Sequence, residues 1–293
     1  MAHITRRSFI KQSAAGAAAL TLGRKAMAAN KNNSFLGPVA LGDSGIITSR
    51  VALGTGSFGW KHTSQQVKLG KEKFLEMAQY AYEKGIRFFE TADIYGSHQL
   101  IGDALKLVPR DKVVVETKIW HRPVDWIDYK NVPNSIDRFR KEIRTDYLDI
   151  VLLHCQVEED WSEKYKREMD DLNNLQAKGV IGAVGVSCHD LKALNTAAES
   201  DWVQVIQTRI NPFGPRMDAE PEKVMPVIKK AHDNGKGIIG MKIFGCGECV
   251  EEEQRQKSLE YVWGSGNVDA MTIGFGEIAH IDDALSRMEK ILA

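Results

Sequence analysis

The sequence is poor in cysteine, in long apolar runs and in net charge, and each shortage excludes a class of protein. Its four cysteines contain no C-x-x-C-x-x-C run, which excludes an iron–sulfur centre of that type. The apolar run at residues 14–22 is too short to cross a lipid bilayer, so no stable membrane insertion is expected. The 39 basic and 39 acidic side chains balance over the whole chain, and the part after residue 28 has a net charge of −5, so no nucleic-acid partner is expected.

Two of the cysteines, Cys246 and Cys249, form a C-x-x-C pair. Such a pair is a disulfide, a redox pair or two free thiols, and the sequence leaves these alternatives open. A zinc site would need two further ligands, and the sequence assigns none. No metal is therefore predicted.

No low-complexity linker or block of like charge divides residues 34–293, so this region is predicted to be one domain. Short apolar segments alternate in it with amphipathic stretches of helical periodicity, such as residues 72–85 and 165–179. Eight apolar segments lie at residues 50–56, 86–92, 112–120, 148–155, 181–188, 203–210, 237–244 and 270–276.

Eight strand–helix units in about 245 residues match an α/β fold of the (β/α)8 barrel type in count and size. The segments are mostly apolar runs and do not alternate, as expected of strands buried on both faces of a parallel sheet. A doubly wound parallel sheet is the alternative fold. Residues 35–49 are predicted to form a short hairpin that caps the bottom of the barrel.

Residues 1–28 have a different pattern. Arg6 and Arg7 precede the apolar run at 14–22, and Ala26-Met27-Ala28 supplies the small-x-small pattern of a signal peptidase site. These elements resemble a twin-arginine export signal, which implies transport to the periplasm or another space outside the cytoplasm. A basic amphipathic helix is the alternative. Residues 1–28 hold five basic residues and no acidic one, so cleavage after Ala28 would leave 265 residues with 34 basic and 39 acidic side chains.

Four side chains suited to acid–base chemistry fall where three consecutive predicted strands end. Glu90 and Tyr95 follow the second strand, Lys118 ends the third and His154 ends the fourth. In a (β/α)8 barrel these strand ends meet at one rim, where the chemistry of such barrels takes place. A phenol has a pKa of about 10, and a neighbouring ammonium lowers it by stabilising the phenolate. We therefore predict that Lys118, held by Glu90, makes Tyr95 a proton donor and that His154 orients a substrate oxygen.

The motifs around these residues resemble those of the aldo-keto reductase family. The chain has DIYG at residues 93–96, TK at 117–118, LLH at 152–154 and GVSC at 185–188, and the likeness extends over residues 37–293. It implies an enzyme that reduces an aldehyde or ketone, or oxidises an alcohol in reverse, by hydride transfer with Tyr95 as general acid. Glu90 stands where the family has an aspartate.

The resemblance also implies a nicotinamide cofactor, either NADP(H) or NAD(H). Met241 stands where an aromatic residue usually stacks on the nicotinamide. After the eighth strand, His280 stands where an arginine would bind the 2′-phosphate of NADP, and Glu277 adds a negative charge nearby. Weak discrimination between NADP and NAD is therefore predicted. The implied cofactor-binding residues are Gly54, Thr55, Ser187, Cys188, Gln207, Met241, Lys242, Phe244, Glu277 and His280.

Trp120 is predicted to form a wall of the substrate pocket, because aromatic walls are common in such pockets. Asp93 and His98 face the substrate or cap the next helix, and capping is the favoured interpretation. The unusual loops after the seventh and eighth strands keep one rival function open, a barrel that binds a small molecule or sugar without turnover. A metal-dependent hydrolase is disfavoured because no H-x-H pair follows the first strand. We expect a monomer or a small homo-oligomer with a small-molecule carbonyl or alcohol substrate.

Overall fold

The computed structural model describes residues 37–292, and the predicted signal at residues 1–28 lies outside this part of the chain. Each of the eight predicted apolar segments contains one strand of a barrel. The strands are β1 Pro38–Ala40, β2 Ile47–Ser49, β3 Val51–Gly54, β4 Phe88–Glu90, β5 Val114–Ile119, β6 Leu148–Gln156, β7 Ile181–Cys188, β8 Val205–Arg209, β9 Gly237–Met241 and β10 Ala270–Ile273. Strands β3 to β10 are parallel and close in chain order, with β10 beside β3, which confirms the predicted (β/α)8 barrel.

Helices follow the strands and surround the barrel. They are α1 Gln65–Lys68, α2 Lys71–Glu83, α3 His98–Ala104, α4 Val132–Ile143, α5 Trp161–Lys164, α6 Lys166–Ala177, α7 Leu191–Glu199, α8 Pro221–Asp233, α9 Glu252–Gly264 and α10 Ile278–Leu292. A 3-10 turn at Asp93–Tyr95 follows β4, and another at Gly245–Gly247 follows β9. In residues 37–292, no helix is both long and apolar enough to span a membrane.

Side chains alternate between the inside and the outside of the barrel along each strand. Ala52, Phe88 and Val114 point inward and belong to the lower core inside the barrel. Phe89 and Val115, the next residues along two of these strands, point outward and belong to the larger core between strands and helices. Burial on both faces is the reason that the strands read as unbroken apolar runs in the sequence. It also means that a polar side chain at an inward position lies directly above an apolar core.

The predicted hairpin is present at the amino-terminal end of the barrel. β1 and β2 pair in antiparallel fashion. Leu41, which follows β1, is fully buried and packs into the lower core. At Gly237, where β9 begins, a Cβ atom would lie 2.8 Å from Leu41, so glycine permits this close approach. The hairpin therefore caps the bottom of the barrel, as predicted.

Candidate active site

The upper rim of the barrel brings the four predicted catalytic side chains together. Glu90, Lys118 and His154 occupy inward positions at the carboxyl ends of β4, β5 and β6. The 3-10 turn after β4 places Tyr95 above them. A Cβ atom on Gly56 would lie 2.2 Å from the Tyr95 ring, so the glycine-rich loop after β3 fixes where this ring lies.

Lys118 is the centre of the cluster, with 1% of its side chain exposed. Its ammonium forms an ion pair with Glu90 and donates a hydrogen bond to the Thr91 carbonyl oxygen at 3.0 Å. A second carboxylate oxygen, Oε1 of Glu116, lies 3.0 Å from Nζ. Burial alone would lower the pKa of Lys118, but the two carboxylates outweigh it and the pKa is raised. Lys118 is therefore a permanent buried cation.

Glu116 is a member of this cluster that the sequence analysis missed. Its side chain is fully buried, and it faces the Lys118 ammonium as an ion pair. Burial raises the pKa of Glu116 to about 7, with Glu90 adding to the rise and Lys118 opposing it. The alternation of side chains along β5 could have identified Glu116, because a residue two positions before an inward-facing lysine also faces inward.

Tyr95 lies over Lys118 with Nζ 5.4 Å from its ring centroid. Burial raises the pKa of its hydroxyl, Lys118 lowers it, and Glu90 and Glu116 raise it again, so that the net pKa is raised. Lys118 therefore lowers the pKa of the phenol, as predicted, but it does not leave the phenol more acidic than usual in this cluster. Two buried carboxylates and desolvation outweigh one ammonium, and the hydroxyl keeps its proton at neutral pH.

His154 contacts Tyr95 edge to face, with ring centroids 5.7 Å apart. Burial lowers its pKa well below the usual value, and Lys118 lowers it further. Its Nδ1 is buried without a hydrogen-bond partner among residues 37–292. A neutral imidazole with one free N–H can donate a hydrogen bond to a substrate oxygen without adding a charge.

A cleft of about 560 Å³ opens beside Tyr95, between the carboxyl ends of β3, β9 and β10. Glu90 and Tyr95 are among the residues that line it. Arg255 and the segment Gly274–Gly276, which the sequence analysis did not identify, also line it. The structure brings six of the predicted cofactor-binding residues to this cleft: Gly54, Gln207, Met241, Lys242, Phe244 and His280.

The model of the aldo/keto reductase family matches residues 50–290 of the chain. The chain belongs to the aldo/keto reductase family. It is 28% identical to the NADH-specific methylglyoxal reductase of Escherichia coli over 218 residues, which cover 67% of this chain and 64% of the relative. It is 27% identical to the versiconal hemiacetal acetate reductase of Aspergillus parasiticus over 194 residues, which cover 57% and 56% of the two chains.

The chain thus spans less than two thirds of the length of either of these relatives. A solved structure from Pseudomonas aeruginosa, described as an aldo-keto reductase, has the same fold. Its TM-score is 0.72 at 22% sequence identity, and the superposition covers 89% of this chain and 99% of the other.

Four cofactor positions implied by the resemblance to aldo/keto reductases lie outside the cleft. Thr55 is fully buried and donates a hydrogen bond to the Glu90 carbonyl oxygen at 2.9 Å. Ser187 accepts the Cys155 N–H at 2.8 Å inside the barrel. Cys188 faces outward and packs in the strand–helix core, and Glu277 is exposed beside His280. Thr55 and Cys188 lie outside the cleft because side chains at outward positions of the strands cannot reach the rim.

Trp120 lies beside the catalytic cluster, with its ring centroid 5.6 Å from that of His154. The half-exposed Trp60 packs against its edge at 5.3 Å and contacts Trp126 at 4.8 Å. Three indole rings thus form an apolar wall next to the imidazole that would face a substrate. Trp120 does not line the cleft described above, and its role as a wall of the substrate pocket stays a prediction.

Other predicted features lie elsewhere. The prediction that Asp93 and His98 cap a helix is wrong, because neither α3 nor the preceding 3-10 turn has a side-chain cap. Asp93 instead pairs with Arg138 of α4, and His98 bonds Thr117 and Glu142 behind β5. Cys246 and Cys249 are free thiols. No cluster of three metal-ligating side chains occurs in residues 37–292.

Proposed function

We propose that this protein is an NAD(P)H-dependent oxidoreductase that reduces an aldehyde or ketone to an alcohol, or runs the reverse reaction. One observation carries the proposal. The buried ammonium of Lys118 lies beneath the Tyr95 ring, and that ring lines a cleft large enough for a cofactor. Family membership over residues 50–290 supports the same chemistry.

The cleft fits a nicotinamide dinucleotide. Oε1 of Gln207 is buried there without a hydrogen-bond partner among the described residues, and it can accept from a carboxamide N–H. Lys242 supplies a cationic group for phosphate oxygens. At Gly274, a Cβ atom would lie 2.0 Å from the Ser57 hydroxyl, so the backbone there leaves no space for a side chain. When bound, the cofactor supplies or accepts the hydride.

The residues of the chain supply the proton and hold the substrate. The Tyr95 hydroxyl gives its proton to the carbonyl oxygen, which becomes the hydroxyl oxygen of the alcohol. Lys118 stabilises the phenolate left on Tyr95 until solvent returns a proton. Glu90 keeps the ammonium in place, and the neutral His154 donates a hydrogen bond that orients the carbonyl oxygen.

We predict weak discrimination between NADPH and NADH. Arg287 forms ion pairs with Asp283 and lies outside the cleft lining, and Arg255 is also paired with Asp283. Neither guanidinium is therefore free to bind a 2′-phosphate bidentately. Fluorescence titration with both cofactors should give dissociation constants that differ by less than about a hundredfold. Each tenfold difference in dissociation constant corresponds to about 1.4 kcal/mol of binding free energy.

A preference for NADPH above a hundredfold would contradict this account and would identify Lys242 as the phosphate ligand to test next. Failure of both cofactors to bind would instead favour the barrel that binds a small molecule or sugar without turnover.

We also propose that residues 1–28, which lie outside the described residues, direct export by the twin-arginine pathway. Paired arginines are the element that this pathway reads. Changing Arg6 and Arg7 together to lysine should keep the protein in the cytoplasm at precursor length, as fractionation and immunoblotting would show. The same protein with Lys11→Arg is the control and should be exported. Detection of the processed double variant outside the cytoplasm would contradict the proposal.

A further inference from the structure

A second cationic group lies near His154 and outside the lining of the cofactor cleft. Arg122 follows β5 and is half-buried, with its guanidinium carbon 4.5 Å from the centroid of the Trp120 ring. Its Nε is buried without a hydrogen-bond partner, and no ion pair forms at this guanidinium within residues 37–292. Arginine side chains that are removed from water usually pair with an anion.

Arg209, on the inward face of β8, provides the contrast. Its guanidinium forms an ion pair with Asp218 at 3.0 Å and donates to Nδ1 of His189 at 2.6 Å. Since Nδ1 of His189 accepts this bond, the imidazole carries its proton on Nε2. Asp218 therefore compensates the charge of Arg209, whereas the charge of Arg122 has no such partner among the described residues.

The electrostatic environment of the two histidines at this rim is positive. Burial lowers the pKa of His154 and of His189 well below the usual value, and the charged groups that lower each of them further include Lys118 and Arg122. Arg209 and Lys242 act on His189 in the same direction. The carboxylate of Asp190 accepts the Lys192 backbone N–H at the start of α7.

On the basis of the function proposed above, we propose that the substrate carries a carboxylate in addition to its carbonyl group. Arg122 binds the carboxylate, the Trp120 wall contacts the apolar part between the two groups, and Tyr95 and His154 receive the carbonyl oxygen. A planar guanidinium that binds a carboxylate through two N–H groups provides both the affinity and the orientation that such a substrate needs.

The test compares 4-formylbenzoate with its neutral methyl ester, because the two aldehydes differ in charge and little in shape. The wild-type protein should have a higher kcat/KM for the acid. Arg122→Gln should lower kcat/KM for the acid by about 10- to 100-fold more than for the ester, as expected for hydrogen bonds to a charged group. Arg122→Lys should recover part of the loss. Lys130→Gln, which removes an exposed cation from the same loop, is the matched control.

Equal use of acid and ester by the wild type, or equal losses on both in Arg122→Gln, would overturn the proposal. Equal losses would mean that Arg122 acts through the packing of Trp120. Binding of the alcohol product 4-(hydroxymethyl)benzoate, followed by tryptophan fluorescence, gives a readout that needs no turnover. If neither aldehyde is reduced, the oxidoreductase proposal fails, and tighter binding of this product to the wild type than to Arg122→Gln still decides the anion site.

Discussion

Replacing Lys118 by methionine is expected to destabilise the protein by about 3–5 kcal/mol at pH 7, as loss of one partner from a buried ion pair does. The ammonium lies between Glu90 and Glu116, and both carboxylates are buried. Methionine fills a similar volume but leaves the two acids facing each other with no cation. Urea unfolding at pH 7 measures the loss. The exposed Lys112, paired with Asp111 in the turn before β5, is the control, and Lys112→Met should change stability by less than about 0.5 kcal/mol.

The destabilisation should depend on pH with a definite sign. The pKa of Glu116 is already raised to about 7 by burial, and removal of Lys118 raises it further. A carboxyl whose folded-state pKa lies above its unfolded value of about 4.3 favours folding while it is protonated, and this contribution is lost as pH rises. Lys118→Met should therefore be least stable above pH 7 and recover as pH falls towards 5.

Adding Glu116→Gln to Lys118→Met should recover part of the stability at pH 7, because the amide is neutral at every pH. If Lys118→Met lowers the free energy of unfolding only slightly and by the same amount at every pH, the ammonium does not compensate the charges of Glu90 and Glu116. Activity should fall in both variants, since the phenolate formed on Tyr95 loses its neighbouring cation.

The barrel and the composition of its rim follow from the sequence for a physical reason. Strands buried on both faces are largely apolar, so the segment that contains β6 is recognisable without any partner strand. A polar residue that ends such a run, such as Lys118 or His154, must lie at the rim. The outer helices were less evident. α9 consists largely of polar residues, and helical periodicity in its sequence is weak.

The electrostatics of the site could not be predicted because they depend on distances between strands. Motif matching finds Lys118 but gives Glu116 no role, although the two side chains face each other along β5. The predicted direction of the Tyr95 pKa counted one ammonium and omitted the second carboxylate and the cost of burial. Arg122 is likewise an ordinary loop residue in the sequence, and its unpaired state emerges only from the folded rim.

Replacing Tyr95 by phenylalanine is expected to lower the rate of hydride transfer by about 10²- to 10⁴-fold, the usual contribution of a general acid. Phenylalanine keeps the ring that packs against Gly56 and removes only the hydroxyl that would protonate the substrate oxygen. Cofactor affinity should therefore change little. The losses from Tyr95→Phe and Lys118→Met should combine far less than additively, because the two residues act as one unit.

The central claim is that the rim of this barrel transfers hydride to a carbonyl carbon while Tyr95 protonates the oxygen. Single-turnover reduction of an aldehyde with NADPH or NADH deuterated at the transferred position, followed by mass spectrometry of the alcohol, tests this most directly. The account predicts deuterium on the carbinol carbon of the product, formed about 10²- to 10⁴-fold more slowly by Tyr95→Phe than by the wild type. An alcohol without deuterium, or a wild-type rate in Tyr95→Phe, would contradict it.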